Sequence, residues 1–122
     1  LKISNINKKK KLIYNLYLKY LDLKHIKTQD FDTNTSIVPW TVAITLKKNS
    51  MRDKLHNYLT KKGIETRKGF YSVDRLKLFK IKKKFVNSNY LSKNIICLPL
   101  HLNLTKKKIK LICHNVNKFI IR

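Results

Sequence analysis

The residues best suited to bind a ligand lie in one short stretch, Gly63–Tyr71, which reads GIETRKGFY. This stretch contains both glycines of the chain, and an aromatic pair follows the second glycine. A guanidinium group binds phosphate or carboxylate oxygens through paired hydrogen bonds, and aromatic rings form the walls of small-molecule pockets. We therefore predict that Arg67, Phe70 and Tyr71 contact a ligand.

Other patterns of catalytic chemistry are missing from the sequence. Two glycines are too few for a phosphate-binding loop, and there is no nucleophile elbow. A lysine that forms a Schiff base needs a pocket that lowers its pKa, and nothing distinguishes one of the 25 lysines. The four histidines are isolated and are predicted to be surface or core residues: His25, His56, His101 and His114. We therefore predict no catalytic residue and no metal site.

The two cysteines, Cys97 and Cys113, each lie within an apolar pattern. This position predicts two buried, reduced thiols and a cytoplasmic protein. Cys113 is adjacent to His114 rather than four residues away from it, so the pair is a poor zinc half-site.

The formal net charge of +23 permits two interpretations. One is a nucleic-acid or other polyanionic partner, which a basic surface binds in a salt-sensitive way. The other is codon bias, because AT-rich codons encode Lys, Asn and Ile, and the chain has 25 Lys but only 4 Arg. Arginine is the residue that gives two-point recognition of phosphates and guanine edges. The composition therefore favours codon bias, and nonspecific binding of polyanions is expected under either interpretation.

The first third of the chain reads as a helix, a connector and a strand. Hydrophobic periodicity predicts a helix from residue 1 to about 25, and the polar segment His25–Ser36 predicts a loop. Val38–Leu46 alternates between the two faces of a strand, and Trp40 falls on the same face as the buried residues. We therefore predict that Trp40 anchors the core.

The middle of the chain has clear helix boundaries. Ser50 and Asp53 form a capping-box-like pair at the start of a helix, and Gly63 is predicted to end that helix in a left-handed conformation. A short strand, Ile64–Lys68, should follow. The mixed segment Ser72–Lys84 predicts a loop with one helical turn.

The last third of the chain predicts a helix, a strand and a helix. Asn87 or Ser88 is expected to cap a short helix that ends at Asn94, and Ile95–Leu98 is expected to form a buried strand. Thr105 is the predicted cap of the last helix, whose apolar stripe has helical spacing.

These elements predict an α+β fold with a three-stranded sheet and flanking helices. Residues 1–34 are predicted to form an interdomain-type helix and connector, and residues 35–122 a small C-terminal domain. No apolar run approaches the ~20 residues of a membrane span. The chain starts at Leu1 rather than Met, which predicts a fragment of a longer protein.

Six short motifs follow one another after a Lys-rich helix that contains Tyr and Leu: Pro39-Trp40, Leu59–Arg67, Gly69–Tyr71, Ser88–Ser92, Ile96–Pro99 and Asn103–Thr105. Their order and spacing resemble the C-terminal segment of the DegT/StrS-type sugar aminotransferases, closest to the perosamine-synthase-like branch. The resemblance covers about residues 8–121.

The resemblance implies the fold of the aspartate-aminotransferase superfamily (fold type I), a homodimer and dependence on pyridoxal 5'-phosphate. It also implies transfer of an amino group, usually from glutamate, to a nucleotide-linked keto-sugar in amino-sugar and polysaccharide biosynthesis. A large domain would hold the cofactor and the Schiff-base lysine, and the small C-terminal domain would close over the substrate. By position in the motif, Arg67 would contact phosphate or sugar oxygens, and Phe70 and Tyr71 would form the wall of the cleft.

The resemblance further implies that this chain alone binds no cofactor and is catalytically incomplete. The chain departs from the family pattern at Lys68 and Ser72, where proline is common, and at Lys106–Lys108, where acids are usual. Two other function classes stay open: a small basic nucleic-acid-binding protein and a non-catalytic interaction module.

Overall fold

The protein, described by a computed structural model over residues 2–32, 34–47, 51–79 and 82–121, has an α+β fold. This confirms the predicted fold class. The helices are α1 (Ile3–Tyr20), α2 (Met51–Lys61), α3 (Val86–Asn94) and α4 (Lys106–Ile120). The strands are β1 (Ile26–Thr28), β2 (Val42–Leu46), β3 (Arg67–Lys68) and β4 (Ile95–Leu98). Two 3-10 turns, Val73–Arg75 and Lys77–Phe79, occupy the segment predicted to hold one helical turn.

The sheet has four antiparallel strands in the order β1-β2-β4-β3, so the prediction of three strands was wrong. The additional strand, β1, lies in the segment that was predicted to be a polar loop. It pairs with β2 through Ile26 opposite Leu46 and Thr28 opposite Ile44. Only Ile26 of this strand is fully buried, and a single apolar residue among polar neighbours gives no recognisable strand pattern.

One face of the sheet and the helices α1, α2 and α4 form the hydrophobic core. The inward side chains of β2 and β4 are Val42, Ile44, Leu46, Ile96 and Leu98, and all five are buried. They pack in one cluster with residues of the helices, such as Ile13, Tyr17, Ile109 and Val116. Burial of each such side chain stabilises the fold by about 1.5–3 kcal/mol.

Hydrogen bonds of two side chains connect the region of α1 to the last quarter of the chain. Tyr17 donates a hydrogen bond from its hydroxyl to the carbonyl oxygen of Pro99 at 2.8 Å, and burial raises the pKa of this tyrosine. Asn117 on α4 accepts a hydrogen bond from the Asp22 amide at 2.9 Å and donates one to the Tyr20 carbonyl at 2.8 Å. The helix α1 therefore ends at Tyr20, earlier than the predicted residue 25.

The predicted end of α2 is confirmed. Gly63 has a φ of 71°, in the left-handed region. Its amide donates to the Thr60 carbonyl at 2.9 Å, and the Ile64 amide donates to the Leu59 carbonyl at 2.9 Å. These two bonds form a Schellman motif, which satisfies carbonyls that the helix leaves without partners. Ser50, the predicted cap at the other end of this helix, lies outside the described residues.

Of the remaining predicted caps, one is confirmed and one is wrong. Thr105 accepts a hydrogen bond from the Lys108 amide at the start of α4. The start of α3 is Val86, with Phe85 as the N-cap residue, so Asn87 and Ser88 lie within the first turn rather than before it. The predicted end of α3 at Asn94 and the predicted strand Ile95–Leu98 are confirmed.

None of the helices among the described residues is long and apolar enough to cross a membrane. The helix α1 and the strand β1 share the core and the sheet with the rest of the chain. The predicted division at residue 34 stays a prediction.

Candidate functional site

The predicted strand Ile64–Lys68 is shorter than expected, because only Arg67 and Lys68 pair with β4. These two residues point to opposite sides. Lys68 Nζ lies 3.1 Å from Asp53 Oδ1 on α2. Arg67 lines a depression of about 260 Å³ together with Trp40 and His101 on the other side.

The guanidinium of Arg67 is largely exposed. Its Nη2 atom lies 3.8 Å from Oε1 of Glu65, and both side chains are mostly in solvent. An exposed ion pair at such a distance contributes little to stability. The guanidinium therefore remains accessible to an anionic group that enters this depression.

Gly69 fixes the backbone that leads to the aromatic pair. Its amide donates a hydrogen bond to the Ile95 carbonyl at 3.3 Å. A Cβ atom at this position would lie 2.6 Å from Cγ2 of Ile95, closer than van der Waals contact permits. Glycine is therefore required by the close approach to β4.

A second set of hydrogen bonds fixes the chain directly after the aromatic pair. The carboxylate of Asp74 accepts a hydrogen bond from the hydroxyl of the buried Ser72. It accepts another from Asn89 Nδ2 on α3 at 2.7 Å. These bonds lower the pKa of Asp74, with the bond from Ser72 as the largest cause. Phe70 and Tyr71 therefore lie between two fixed points of the backbone.

The sheet face opposite the core forms the floor of a groove of about 510 Å³, here called the aromatic groove. Its floor consists of half-buried residues of β2, β4 and the segment before β2: Thr41, Ala43, Ile95 and Cys97. Leu91 and neighbouring residues of α3 form one wall. The exposed rings of Trp40, Phe70 and Tyr71 form the rim.

Trp40 is the residue of this site that the sequence analysis assigned wrongly. Its side chain is 59% exposed rather than part of the core. The predicted strand begins at Val42, four residues later than expected, because Pro39 has no amide hydrogen to donate and Thr41 donates its side-chain hydroxyl to the Leu98 carbonyl at 2.9 Å. The preceding proline was the one signal that could have indicated this position.

The structure brings the three predicted site residues around Trp40. Phe70 and Tyr71 line the aromatic groove, and Arg67 lines the adjoining depression. Trp40 lines both. The ring centroids of Trp40 and Phe70 are 6.5 Å apart, and the ring planes are tilted by 38°. The arrangement combines flat apolar surfaces with one accessible cation, which suits a ligand that has a ring and an anionic group.

Burial affects the pKa of both cysteine thiols. Burial raises the pKa of the Cys97 thiol on the groove floor, although hydrogen bonding to Thr41 and the charge of Arg67 oppose that shift. Burial raises the pKa of Cys113 to about 12. Within the described ranges, no three His, Cys, Asp or Glu side chains are grouped as metal ligands would be, and no lysine is buried.

A sequence profile described as the DegT/DnrJ/EryC1/StrS aminotransferase family matches residues 1–117. No curated protein sequence matches the chain. Among solved structures, the aminotransferase TlmJ from Streptoalloteichus hindustanus has a TM-score of 0.86 at 14% identity, over 94% of this chain and 32% of TlmJ.

Two further solved structures share the fold. The putative sugar aminotransferase Spr1654 from Streptococcus pneumoniae, in its PMP form, has a TM-score of 0.85 at 18% identity, over 97% of this chain and 31% of Spr1654. DesI, solved in the presence of its TDP-sugar product, has a TM-score of 0.86 at 16% identity, over 98% of this chain and 32% of DesI. The chain thus spans just under a third of the length of these proteins.

Proposed function

The chain belongs to the DegT/DnrJ/EryC1/StrS aminotransferase family, and on that premise we propose that it is the small domain of an aminotransferase for nucleotide-linked keto-sugars. This domain would close over the substrate. The observation that carries the proposal is the aromatic groove with Arg67 beside it, on the sheet face that lies opposite the core. DesI, which has been solved in the presence of its TDP-sugar product, supports a nucleotide sugar as the substrate class.

We assign distinct roles to the three predicted residues. Arg67 binds a phosphate or sugar oxygen through charge-assisted hydrogen bonds, and Phe70 and Tyr71 form the apolar wall beside the ligand. Two fixed points, Gly69 and Asp74, hold the wall in place before the ligand arrives. Such preorganisation reduces the entropy that binding costs.

The proposed cofactor of the complete enzyme is pyridoxal 5'-phosphate, because Spr1654 has been solved in PLP and PMP forms. This cofactor would carry the amino group from glutamate to the keto-sugar. Attachment of the cofactor requires a lysine in a desolvated pocket, and every described lysine of this chain is exposed or half-exposed. The described lysines do not fit that role, so the proposal assigns the cofactor to protein outside these 122 residues.

The proposal includes two properties of the complete enzyme. The enzyme is a homodimer, as the family resemblance implies. Its location is the cytoplasm, since both Cys97 and Cys113 are free thiols, which reducing compartments maintain.

The proposal is tested by replacing Arg67→Ala in an enzyme of full family length that carries this chain. The expected result is a rise in KM for the nucleotide sugar of about tenfold or more, since hydrogen bonds to charged groups contribute about 1.5–3 kcal/mol. The absorbance of bound cofactor should not change.

Arg75→Ala is the matched control, because Arg75 is also exposed but lies on a 3-10 turn outside the aromatic groove. This variant should leave the KM for the nucleotide sugar and the absorbance of bound cofactor near the wild-type values. Unchanged kinetics of the Arg67→Ala enzyme with its sugar substrate would contradict the proposed function.

A further inference from the structure

The rings of Trp40 and Phe70 form a solvent-exposed pair at the rim of the aromatic groove. Their centroids are 6.5 Å apart and their planes differ by 38°. Trp40 is 59% exposed and Phe70 is 80% exposed. Both rings therefore offer accessible flat apolar surface at the rim of the groove.

Each ring of the pair has a fixed backbone. The close approach of Gly69 to Ile95 fixes the residue before Phe70. On the other side, the hydrogen bond from Thr41 to the Leu98 carbonyl fixes the residue after Trp40. The residues next to both rings are therefore attached to β4.

The side chains of the groove floor leave both rings accessible. Thr41 and Ala43 are small, and Cys97 is half-buried. Large rings that remain exposed beside an apolar groove indicate a binding surface rather than incomplete packing.

The charge next to the pair indicates which chemical group is attached to the ring of the ligand. Trp40 also lines the depression that contains Arg67, so a cation lies near the indole. A planar ring joined to phosphate groups matches both features.

We propose that the exposed rings of Trp40 and Phe70 stack against the nucleobase of a nucleotide, with Arg67 on the phosphate side. This inference rests on the proposed function and deepens it, because it assigns the base of the nucleotide sugar to Trp40, a residue outside the stretch Gly63–Tyr71 that suggested the site. Stacking is tolerant of base identity, since every base has flat faces. The pair therefore supplies affinity for nucleotides without selecting one base.

The chain contains a single tryptophan, so its fluorescence reports directly on this site. We expect uridine diphosphate to quench the fluorescence of the 122-residue protein in a saturable way, after correction for nucleotide absorption with free tryptophan amide. Inorganic pyrophosphate at matched charge should leave the fluorescence unchanged. Salt at ~0.2 M suppresses the nonspecific binding expected from the basic composition.

Phe70→Leu removes one ring of the pair and keeps the reporter. It should raise the dissociation constant for uridine diphosphate about tenfold, the usual effect of losing one base–aromatic stack. Phe79→Leu is the matched control, because Phe79 is also exposed but lies on a 3-10 turn outside the groove. It should leave the dissociation constant unchanged. Circular dichroism verifies that both variants keep the fold.

Two results would overturn the stacking assignment: equal quenching by pyrophosphate and uridine diphosphate, or equal affinities of Phe70→Leu and the wild type. If Arg67→Ala still impairs the complete enzyme, the proposed function survives that result. If Arg67→Ala has no effect while ring-dependent quenching is observed, the stacking site stands and the proposed function fails.

Discussion

The two faces of the sheet differ in what covers them. On one face, residues such as Ile44 and Ile96 are completely buried in a core shared with α1 and α4. On the other face, Ile95 and Cys97 are half-buried in the aromatic groove, beside rings that are mostly in solvent. The same two strands supply both surfaces, because successive residues of a strand point in opposite directions.

This difference separates stability from recognition. The covered face obtains its partners within the chain, so its residues contribute chiefly to folding. The groove face keeps flat apolar surface accessible, and the backbone around it is fixed by hydrogen bonds and a close glycine contact. Substitutions on the two faces should therefore have unequal effects on stability, and each prediction below tests that inequality.

The largest expected effect is on the covered face. Ile96→Ala should lower the free energy of unfolding by about 2–5 kcal/mol, because it leaves a cavity in a closely packed core. Ile95→Ala, one residue earlier and on the groove face, should cost only about 1 kcal/mol. Denaturant unfolding of the two variants measures both values. Equal losses would show that the two faces contribute alike to stability.

A smaller effect on stability is expected at Gly69, where the backbone lies close to Ile95 of β4. Gly69→Ala should cost about 1–3 kcal/mol, since the new methyl group would overlap Ile95. Ile95→Ala removes the nearest side-chain atom. The double variant should therefore lose less stability than the sum of the losses of the two single variants.

Gly63→Ala provides the control for that double substitution. Its cost comes from the left-handed backbone, and nothing lies within 4 Å of the added Cβ. Its effect should therefore add to that of Ile95→Ala without coupling. Full additivity of Gly69→Ala with Ile95→Ala would contradict the proposed steric contact.

The smallest effect depends on pH. Hydrogen bonds from Ser72 and Asn89 hold the pKa of Asp74 below its ordinary value of 3.8. The folded state therefore favours the charged carboxylate. The resulting stability is fully present above pH 3.8 and is lost as the pH falls through the lower pKa of the folded state.

Asp74→Ala should accordingly lower Tm near neutral pH, and the difference from the wild type should diminish in acid. Ser72→Ala should remove part of the same pH-dependent difference. Thermal unfolding of the three proteins between neutral and strongly acidic pH measures this. A difference in Tm that does not vary with pH would exclude the carboxylate as its source.

Local signals made much of the fold predictable. Gly63 and Thr105 were assigned correctly because each caps one end of a helix through hydrogen bonds between residues only a few positions apart. Ile95–Leu98 was assigned correctly because a run of four apolar residues after Asn94 is long enough for a strand but too short for a helix. The family resemblance, which rests on the order of such motifs, is confirmed by the profile match over residues 1–117.

Features that depend on distant partners were not predictable in this way. The strand β1 exists because β2, about fifteen residues later, offers it an edge. Trp40 continues the alternation of β2, but Pro39 and the bond from Thr41 to Leu98 end the pairing before Trp40 is reached. The ligand-binding roles of Arg67, Phe70 and Tyr71 stay predictions, since they depend on groups that a single domain does not contain.

The hydrogen bonds of Asn117 have a consequence for how the chain opens. The amide of Asp22 donates to a side chain that lies 95 positions later in the sequence. Separation of the first and last helices breaks this bond and frees the amide hydrogen for exchange with solvent. The same separation breaks the bond from Asn117 to the Tyr20 carbonyl. We therefore expect fraying at the end of α1 to accompany undocking of α4, and exchange of the Asp22 amide to report on an opening that involves both ends of the chain.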